Sequence, residues 1–579
     1  MKLTRSQMLL LLALLTVLAY ANTTHNAFLW DDHALITNNS YIRNQHYFPL
    51  AFHSDLFHNH SAGSVRYYRP LQTITYMADY ALWGLTPSGY HFTNLLLHLA
   101  GVLLLAMLLE ELTVNRLLAF AVAALFAVHP ILTNAVTYVA GRADPLAFAA
   151  MLAAWLLWLR RRPLPFAAST LCFLAALCSR ENAFIFPLLI LLHSLVLNRN
   201  NWRRALLDAL PFALLTAAFA FWRHTVLSLH ETASPAMWAV PWTVRLQIPF
   251  RALATYLGLL VWPAHLQMER QVVLGGGWLY VLTTAGVLAA AGLVVLARRN
   301  RLACFGVCWF AITLLPVSGL LSLNATVAEH WLYVPCVGLF LAVVAVVPLT
   351  RTTMIAGGVA LAALTARTIV RNRDWRDAMT FYTCTKGAAP YSAAVRSNLG
   401  LEYVAAGQTN GALSELLAAE RLAPDSIHAR ENLAALYLKQ GDLAQAQGKA
   451  ADALQLDPQN PGALMRVAMI WEQRGDFCKA RLYYLRAMAQ TLSVPLRLEY
   501  GQFLLRQRRH AEALRIAEEA CAMEPPNAEA HNLRGAVLAD SGRLDEAQAA
   551  FEMARTLDRH SPNAARNLTR LRALREKRS

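Results

Sequence analysis

The chain has 579 residues, 56% of them hydrophobic and only 15% charged. A soluble globular protein carries about a quarter of its residues as Asp, Glu, Lys and Arg, so a wholly water-soluble fold is excluded. The formal charge of +16 is mostly arginine. No nucleic-acid reader motif accompanies it, whereas cytoplasmic loops of membrane proteins collect Lys and Arg.

Apolar runs crowd the chain before residue 371, and alternating apolar and charged residues follow it, as expected of two regions in two solvents. Lys2 and Arg5 precede the first run, Met8–Ala21, and Ala19-Tyr20-Ala21 resembles a signal-peptidase site. More runs follow, which favours a retained anchor with a cytoplasmic N-terminus. A span needs about 17–25 residues. The further candidates are Tyr90–Leu109, Leu117–Val139, Pro145–Leu159, Pro163–Cys178, Asn182–Leu197, Ala205–Trp222, Trp278–Ala297, Leu302–Leu321, Trp331–Leu349 and Met354–Val370. Leu246–Trp262, interrupted by Pro249 and Arg251, reads as re-entrant or interfacial.

Arginine clusters orient these runs. Arg160–Arg162, Arg199 with Arg203 and Arg204, Arg298–Arg301 and Arg351 all face the cytoplasm if Leu246–Trp262 does not cross. About eleven spans result, and an odd number puts the C-terminal region on the far side of the membrane. Arg367, Arg371 and Arg373 oppose that orientation, although long C-terminal domains translocate largely regardless of charge. Most of the eight cysteines lie inside the apolar runs without a CxxC pair and read as small buried side chains.

The C-terminal region repeats every 34 residues: Gly407, Gly441 and Gly475; Pro390, Pro424 and Pro458; Ala412, Ala446 and Ala480. Ala513 and Ala547 continue the series. This is the tetratricopeptide period, with small residues where paired helices touch. Five repeats are expected between 393 and 560, the fourth with Arg508 in place of its turn glycine. A junction and half-repeat at 371–392 precede them, and a basic capping helix or tail at 561–579 follows. The expected fold is all-α: a transmembrane domain over 1–370 and an α-solenoid. Solenoids usually bind protein, so catalysis is sought in the membrane half.

There, ionisable residues gather at span ends. Asp31-Asp32 follows the first span directly, where a carboxylate can act as general base. Arg69, His91, His129, Arg142, Asp144, Arg180, Glu181, Glu329, His330 and Tyr333 follow in the external loops or outer halves of spans. Such groups are expensive in lipid and usually face a polar cavity. Arg69 and Arg142 suit a phosphate because guanidinium binds its oxygens bidentately. His46, His53, His58 and His60 fit no metal-ligand spacing, so neither metal nor cofactor is expected, with a divalent ion the less favoured option.

At Trp30-Asp31-Asp32, Tyr68-Arg69-Pro70-Leu71, Tyr90-His91 with Asn94 and His98, His129-Pro130, Gly141-Arg142 with Asp144, and Glu329, followed by the repeats, the chain resembles the transmembrane and tetratricopeptide-repeat O-mannosyltransferases. More broadly it is similar to C-type-fold glycosyltransferases that use polyprenyl-phosphate sugars. The resemblance implies a catalytic carboxylate site at Asp31 and Asp32, with arginines and polar groups at the cavity mouth holding the lipid-linked phosphate; Glu329 is a further catalytic candidate. The family often has Glu-Arg where this chain has Glu329-His330.

The expected function is inverting transfer of mannose or another hexose from a polyprenyl-phosphate donor to Ser or Thr hydroxyls of exported proteins, the repeats binding the acceptor. A transferase for a glycan or lipid acceptor, with the repeats recruiting partners, and a non-enzymatic repeat scaffold are the alternatives. The expected partners are the lipid-linked sugar, the acceptor polypeptide and the bilayer, with no nucleic acid. The expected location is a bacterial inner membrane with periplasmic repeats, or an endoplasmic-reticulum membrane with lumenal repeats.

Overall fold

A computed structural model describes residues 4–57, 67–199, 201–227, 245–268, 270, 278–318, 327–348, 350–558 and 562–576. Among these residues the fold is helical throughout, with one isolated antiparallel bridge between Arg270 and Val327. Contacts divide the chain into two units. One comprises Met1–Leu35, Pro49–His58 and Gly63–Pro390; the other comprises Ile36–Phe48, Asn59–Ala62 and Tyr391–Ser579.

The first unit holds the apolar helices. Among the described residues six are long and apolar enough to cross a membrane: Arg5–His25, Pro87–Thr113, Val139–Leu159, Trp202–Leu227, Tyr280–Ala297 and Arg351–Trp375. Arg116–Val128 and Pro130–Val136 make a seventh if their pair, bent by 51° at His129, is one span. The bend follows from sequence, because proline disfavours a helical residue before it. Along the first helix Met8 and Leu12 are buried while Leu10, Leu14 and Leu18 are exposed. Both faces are apolar, as a helix between protein and lipid requires.

The expected count of eleven is not reached on length. Pro163–Leu177, Glu181–Leu197, Arg301–Val317 and Pro335–Val344 are shorter apolar helices, as is Ile248–Val261. At about 1.5 Å per residue none of them covers a 30 Å hydrocarbon core alone. Two of these short helices meet at glycines. A Cβ on Gly306 would lie 2.5 Å from the Gly338 carbonyl oxygen, and the converse distance is also 2.5 Å. Only glycine at both positions permits this approach, the small-residue packing common between membrane helices.

The Ala378–Ala388 helix, read as a half-repeat, falls in the first unit. Its Phe381 packs on Trp375 with ring centroids 4.8 Å apart, and its Tyr382 lies 5.7 Å from Trp30. Trp30 therefore packs against this helix.

Among the described residues the second unit contains five helix pairs, from Ala393–Ala405 with Thr409–Leu422 to Ala528–Asp540 with Leu544–Leu557. Ala412, Ala446, Ala480, Ala513 and Ala547 are all fully buried. Gly407, Gly441, Gly475 and Gly542 take positive φ at the intra-repeat turns, and Arg508 takes the same conformation at φ 55°. Leu568 and Leu571 of the Pro562–Glu576 helix join Leu538 and Phe551 of the last repeat in one apolar cluster. This basic helix thus caps the solenoid.

Candidate functional site

The peptide between the first span and the next helix is not an extended loop. It turns at Trp30, whose φ is 49°, and is helical from Asp31 to Thr37. Asp32 is buried. Its Oδ2 accepts the Leu29 amide at 2.9 Å and its Oδ1 accepts the Ala140 amide at 2.8 Å. Asp31 is half-buried and makes no such backbone bonds with its carboxylate. Its amide donates to the Tyr138 hydroxyl at 2.9 Å, and that hydroxyl also hydrogen-bonds the Asp31 carboxylate. Burial raises the Asp31 carboxyl above its ordinary range, opposed by Tyr138 and by Arg69. Burial pushes Asp32 further, up to about 8, against the two amide bonds.

Around Asp31 the charges are paired. Arg69, just ahead of the Pro70–Trp83 helix, bonds Glu181 Oε2 through Nε at 3.1 Å and Nη2 at 2.9 Å. Its guanidinium lies 4.4 Å from the Tyr67 ring centroid. Burial would raise the Glu181 carboxyl, but Arg69 holds it below the usual range. Arg180 pairs with the buried Asp144. His330 stands within electrostatic reach of Arg180 and Arg69, and its own burial together with these cations keeps its imidazole neutral, well below the usual histidine value. Asp31, Arg69, Asp144, Arg180, Glu181 and His330 therefore form one cluster. Within it, among the described residues, Asp31 is the carboxylate without an ion pair.

Four more expected site residues, Arg142, His91, His129 and Tyr333, are buried. Arg142 is fully buried. It donates to Asn94 Oδ1 at 2.9 Å, Thr75 Oγ1 at 3.3 Å and the Tyr90 carbonyl at 3.1 Å, and pairs with Asp79 at 2.6 Å. Its donors are engaged inside the protein, where it braces the helices. Asn94 in turn donates to the Val136 and Tyr138 carbonyls, fixing the peptide that carries Tyr138 and Ala140. His91 is buried beside the Asn26, Ala27 and Thr137 backbone. His129 accepts the Ile131 amide at 3.2 Å and bonds the Leu260 carbonyl at 3.0 Å, so it caps a helix at the bend. Tyr333 is buried in the core, its hydroxyl 2.8 Å from His98 Nδ1.

Glu329 is also fully buried. Its Oε1 accepts the Gln267 amide at 2.6 Å and lies 3.4 Å from Arg270, while Arg371 adds a favourable charge. It holds the 264–268 segment, where Arg367 also bonds the Ala264 carbonyl at 2.9 Å. Glu329 Oε2 is buried with no hydrogen-bond partner among the described residues. Among the described residues no group of three or more His, Cys, Asp or Glu is placed to hold a metal ion. His58 and His60 lie outside the described residues.

Tyr138 and Asp79 were not found in the sequence. Tyr138 stands four residues before Arg142, beside a quoted motif, but tyrosines at span ends are common enough that proximity alone does not mark them. Asp79 sits in a helix with no motif, and only Arg142 gives it meaning.

The tetratricopeptide repeat family matches residues 397–461, 432–491 and 500–565. Protein O-mannosyl-transferase F38B6.6 of Caenorhabditis elegans is 26% identical over 421 residues, covering 68% of this chain and 59% of its own length. Protein O-mannosyl-transferase TMTC1 of Homo sapiens is 37% identical over 152 residues, covering 25% of this chain and 17% of its own. Tmtc3 of Drosophila melanogaster is 35% identical over 162 residues, covering 24% and 18%. The chain thus spans three-fifths of one of these relatives and under a fifth of the others. Among solved structures, TTC0263 of Thermus thermophilus, a thermophilic TPR protein, is 20% identical, covering 31% of this chain and 98% of its own at a TM-score of 0.29. PilF of Pseudomonas aeruginosa is 19% identical, covering 32% and 85% at 0.28.

Proposed function

We propose that this chain, a homologue of the protein O-mannosyl-transferases that carry tetratricopeptide repeats, transfers a hexose from a polyprenyl-phosphate donor to Ser or Thr hydroxyls of polypeptides. One observation carries the reading: Asp31 is oriented by Tyr138, lies within electrostatic reach of Arg69, and is the carboxylate of its cluster left without an ion pair. A hydroxyl is a weak nucleophile at neutral pH. Asp31 takes its proton as the oxygen forms a bond to the anomeric carbon, and the bond from that carbon to the phosphate oxygen breaks. Attack opposite the leaving group inverts the anomeric centre.

The departing lipid phosphate needs cations. Arg69 and Arg180 are the guanidinium groups of the cluster, and Glu181 is the more exposed partner, at 29% against 12% for Arg69. A donor phosphate binds by exchanging with Glu181 at Arg69. Because guanidinium and carboxylate form a charge-assisted pair before binding, the site stays paired when empty. His330 contributes a neutral imidazole at the same place, which donates or accepts without adding charge. Asp32, anchored to two amides, positions Asp31 and does not react.

We assign the external side of the membrane to Asp31 and the repeats, on arginine distribution. The repeats then meet polypeptide emerging there, in a bacterial periplasm or an endoplasmic-reticulum lumen. The test is incubation of the full-length protein with polyprenyl-phosphate mannose and an unfolded Ser/Thr-rich polypeptide, read by intact mass. Gain of hexose masses removable by alkaline β-elimination is the expected result. No gain with any polyprenyl-phosphate hexose, under conditions where the donor binds, contradicts the reading.

A further inference from the structure

Residues Ile36–Phe48 begin four positions after Asp32, yet they pack in the unit made by the repeats. The segment opens with Asn39, whose side chain accepts the Tyr41 amide at 3.1 Å and starts the 3-10 helix Ser40–Arg43. In a 3-10 helix residues i and i+3 eclipse, so Ser40 and Arg43 project on one side. Both meet carboxylates. The Ser40 hydroxyl donates to Glu524, and Arg43 Nη1 lies 3.1 Å from Asp558.

Glu524 and Asp558 are 34 residues apart, one repeat period, and each is the residue that ends the second helix of its repeat. The solenoid therefore offers two acids in equivalent turns, spaced for a hydroxyl and a cation carried three residues apart on one helical turn. Ser40 and Ile42 are buried, and the Arg43 and Asp558 side chains are only 12% and 19% exposed. Removing one partner of an ion pair so far withdrawn from water leaves the other charge uncompensated, which costs more than at an exposed pair.

We propose that Ile36–Phe48 occupies a polypeptide-binding subsite on repeats four and five, and that acceptor segments presenting a serine three residues before an arginine compete for it. This rests on the transferase reading above and names the acceptor class for that reaction. Glu524 claims the serine hydroxyl, so Ser and Arg anchor the acceptor while a different hydroxyl receives the sugar.

The test uses the full-length protein in detergent and reads hydrogen exchange of the Ile36–Phe48 peptide. Asp558→Arg accelerates its exchange by about tenfold or more, the weight of one charge-assisted hydrogen bond. Combining it with Arg43→Asp restores protection, which separates a lost pair from a misfolded repeat. An excess of a synthetic peptide with Ser-x-x-Arg accelerates exchange in the unmodified protein, and the Ala-x-x-Ala peptide does not. Unchanged exchange in Asp558→Arg, or displacement by neither peptide, overturns the proposal. Because no sugar transfer is read, a protein without transferase activity can still pass this test, and its passing leaves the enzymatic reading to the mass measurement.

Discussion

The turn at Trp30 divides two adjacent carboxylates between two surroundings. A tryptophan at φ 49° is held in a backbone region that costs about 1–3 kcal/mol, and its ring is fixed by Phe381 and Tyr382. The turn directs Asp32 into the Leu29 and Ala140 amides and leaves Asp31 with Tyr138 and Arg69. Asp32→Asn should accordingly be a stability variant: one carboxylate oxygen becomes an NH2 facing a backbone donor, at a cost of about 1–3 kcal/mol. A clear fall in thermal midpoint with donor binding retained in the folded fraction is the expected outcome, and an unchanged midpoint contradicts it. The sequence made this pair conspicuous because two acids beside a membrane invite a reason. It could not divide the roles, because the dividing groups, Tyr138 and Ala140, lie more than a hundred residues away. Arg142 shows the same limit. Its type suits phosphate, but Asp79, Asn94, Thr75 and the Tyr90 carbonyl already satisfy it.

At the scale of elements, the repeats were the most legible part of the chain, since a 34-residue period fixes both helices, their turn and their contact alanines together. The exception is instructive. Arg508 adopts φ 55° where four other repeats use glycine, because the turn geometry is set by the packing of both helices and the residue must follow. An L-residue there costs roughly 1–2 kcal/mol, and glycine's added unfolded-state entropy returns roughly 0.5–1 kcal/mol of that. Arg508→Gly should therefore stabilise the repeats by about 0.5–1 kcal/mol, seen as slower hydrogen exchange in Val494–Met523. Faster exchange there would show that the arginine side chain contributes more than its backbone costs. The membrane helices were less legible. Their composition marks them as apolar, but periodicity cannot tell a complete span from a short buried helix such as Pro335–Val344. Close approaches such as Gly306 on Gly338 depend on two partners far apart in sequence.

At the scale of the molecule, two consequences follow for the division of labour. Removing 393–579 should leave a first unit that still binds lipid-phosphate sugar, because Asp31, Arg69, Arg180 and Glu181 all lie within it. It should glycosylate polypeptide poorly, because the surface that takes Ile36–Phe48 is gone. Equal acceptor modification by the truncated and full-length proteins, measured per folded molecule, contradicts the role given to the repeats. Orientation is tested by a reporter fused after Val370, which should read as external; a cytoplasmic signal would put the repeats on the side opposite the proposed acceptor.

The central claim is that Asp31 removes the acceptor proton, and Asp31→Asn tests it most directly. The substitution keeps size and removes the base, so turnover with polyprenyl-phosphate mannose should fall by about 10²-fold or more, within the range for general-base catalysis. Donor affinity, measured separately, should hold, since Arg69 and Arg180 are untouched. The pH profile supplies the signature. A base works deprotonated, so the rate should rise with pH along a limb lying above the ordinary carboxylate range, because burial raises the Asp31 carboxyl; the residual activity of Asp31→Asn should lack that limb. A loss of about 10²-fold or more in turnover together with the missing limb is the predicted result, and near-normal turnover with the limb intact would contradict the account.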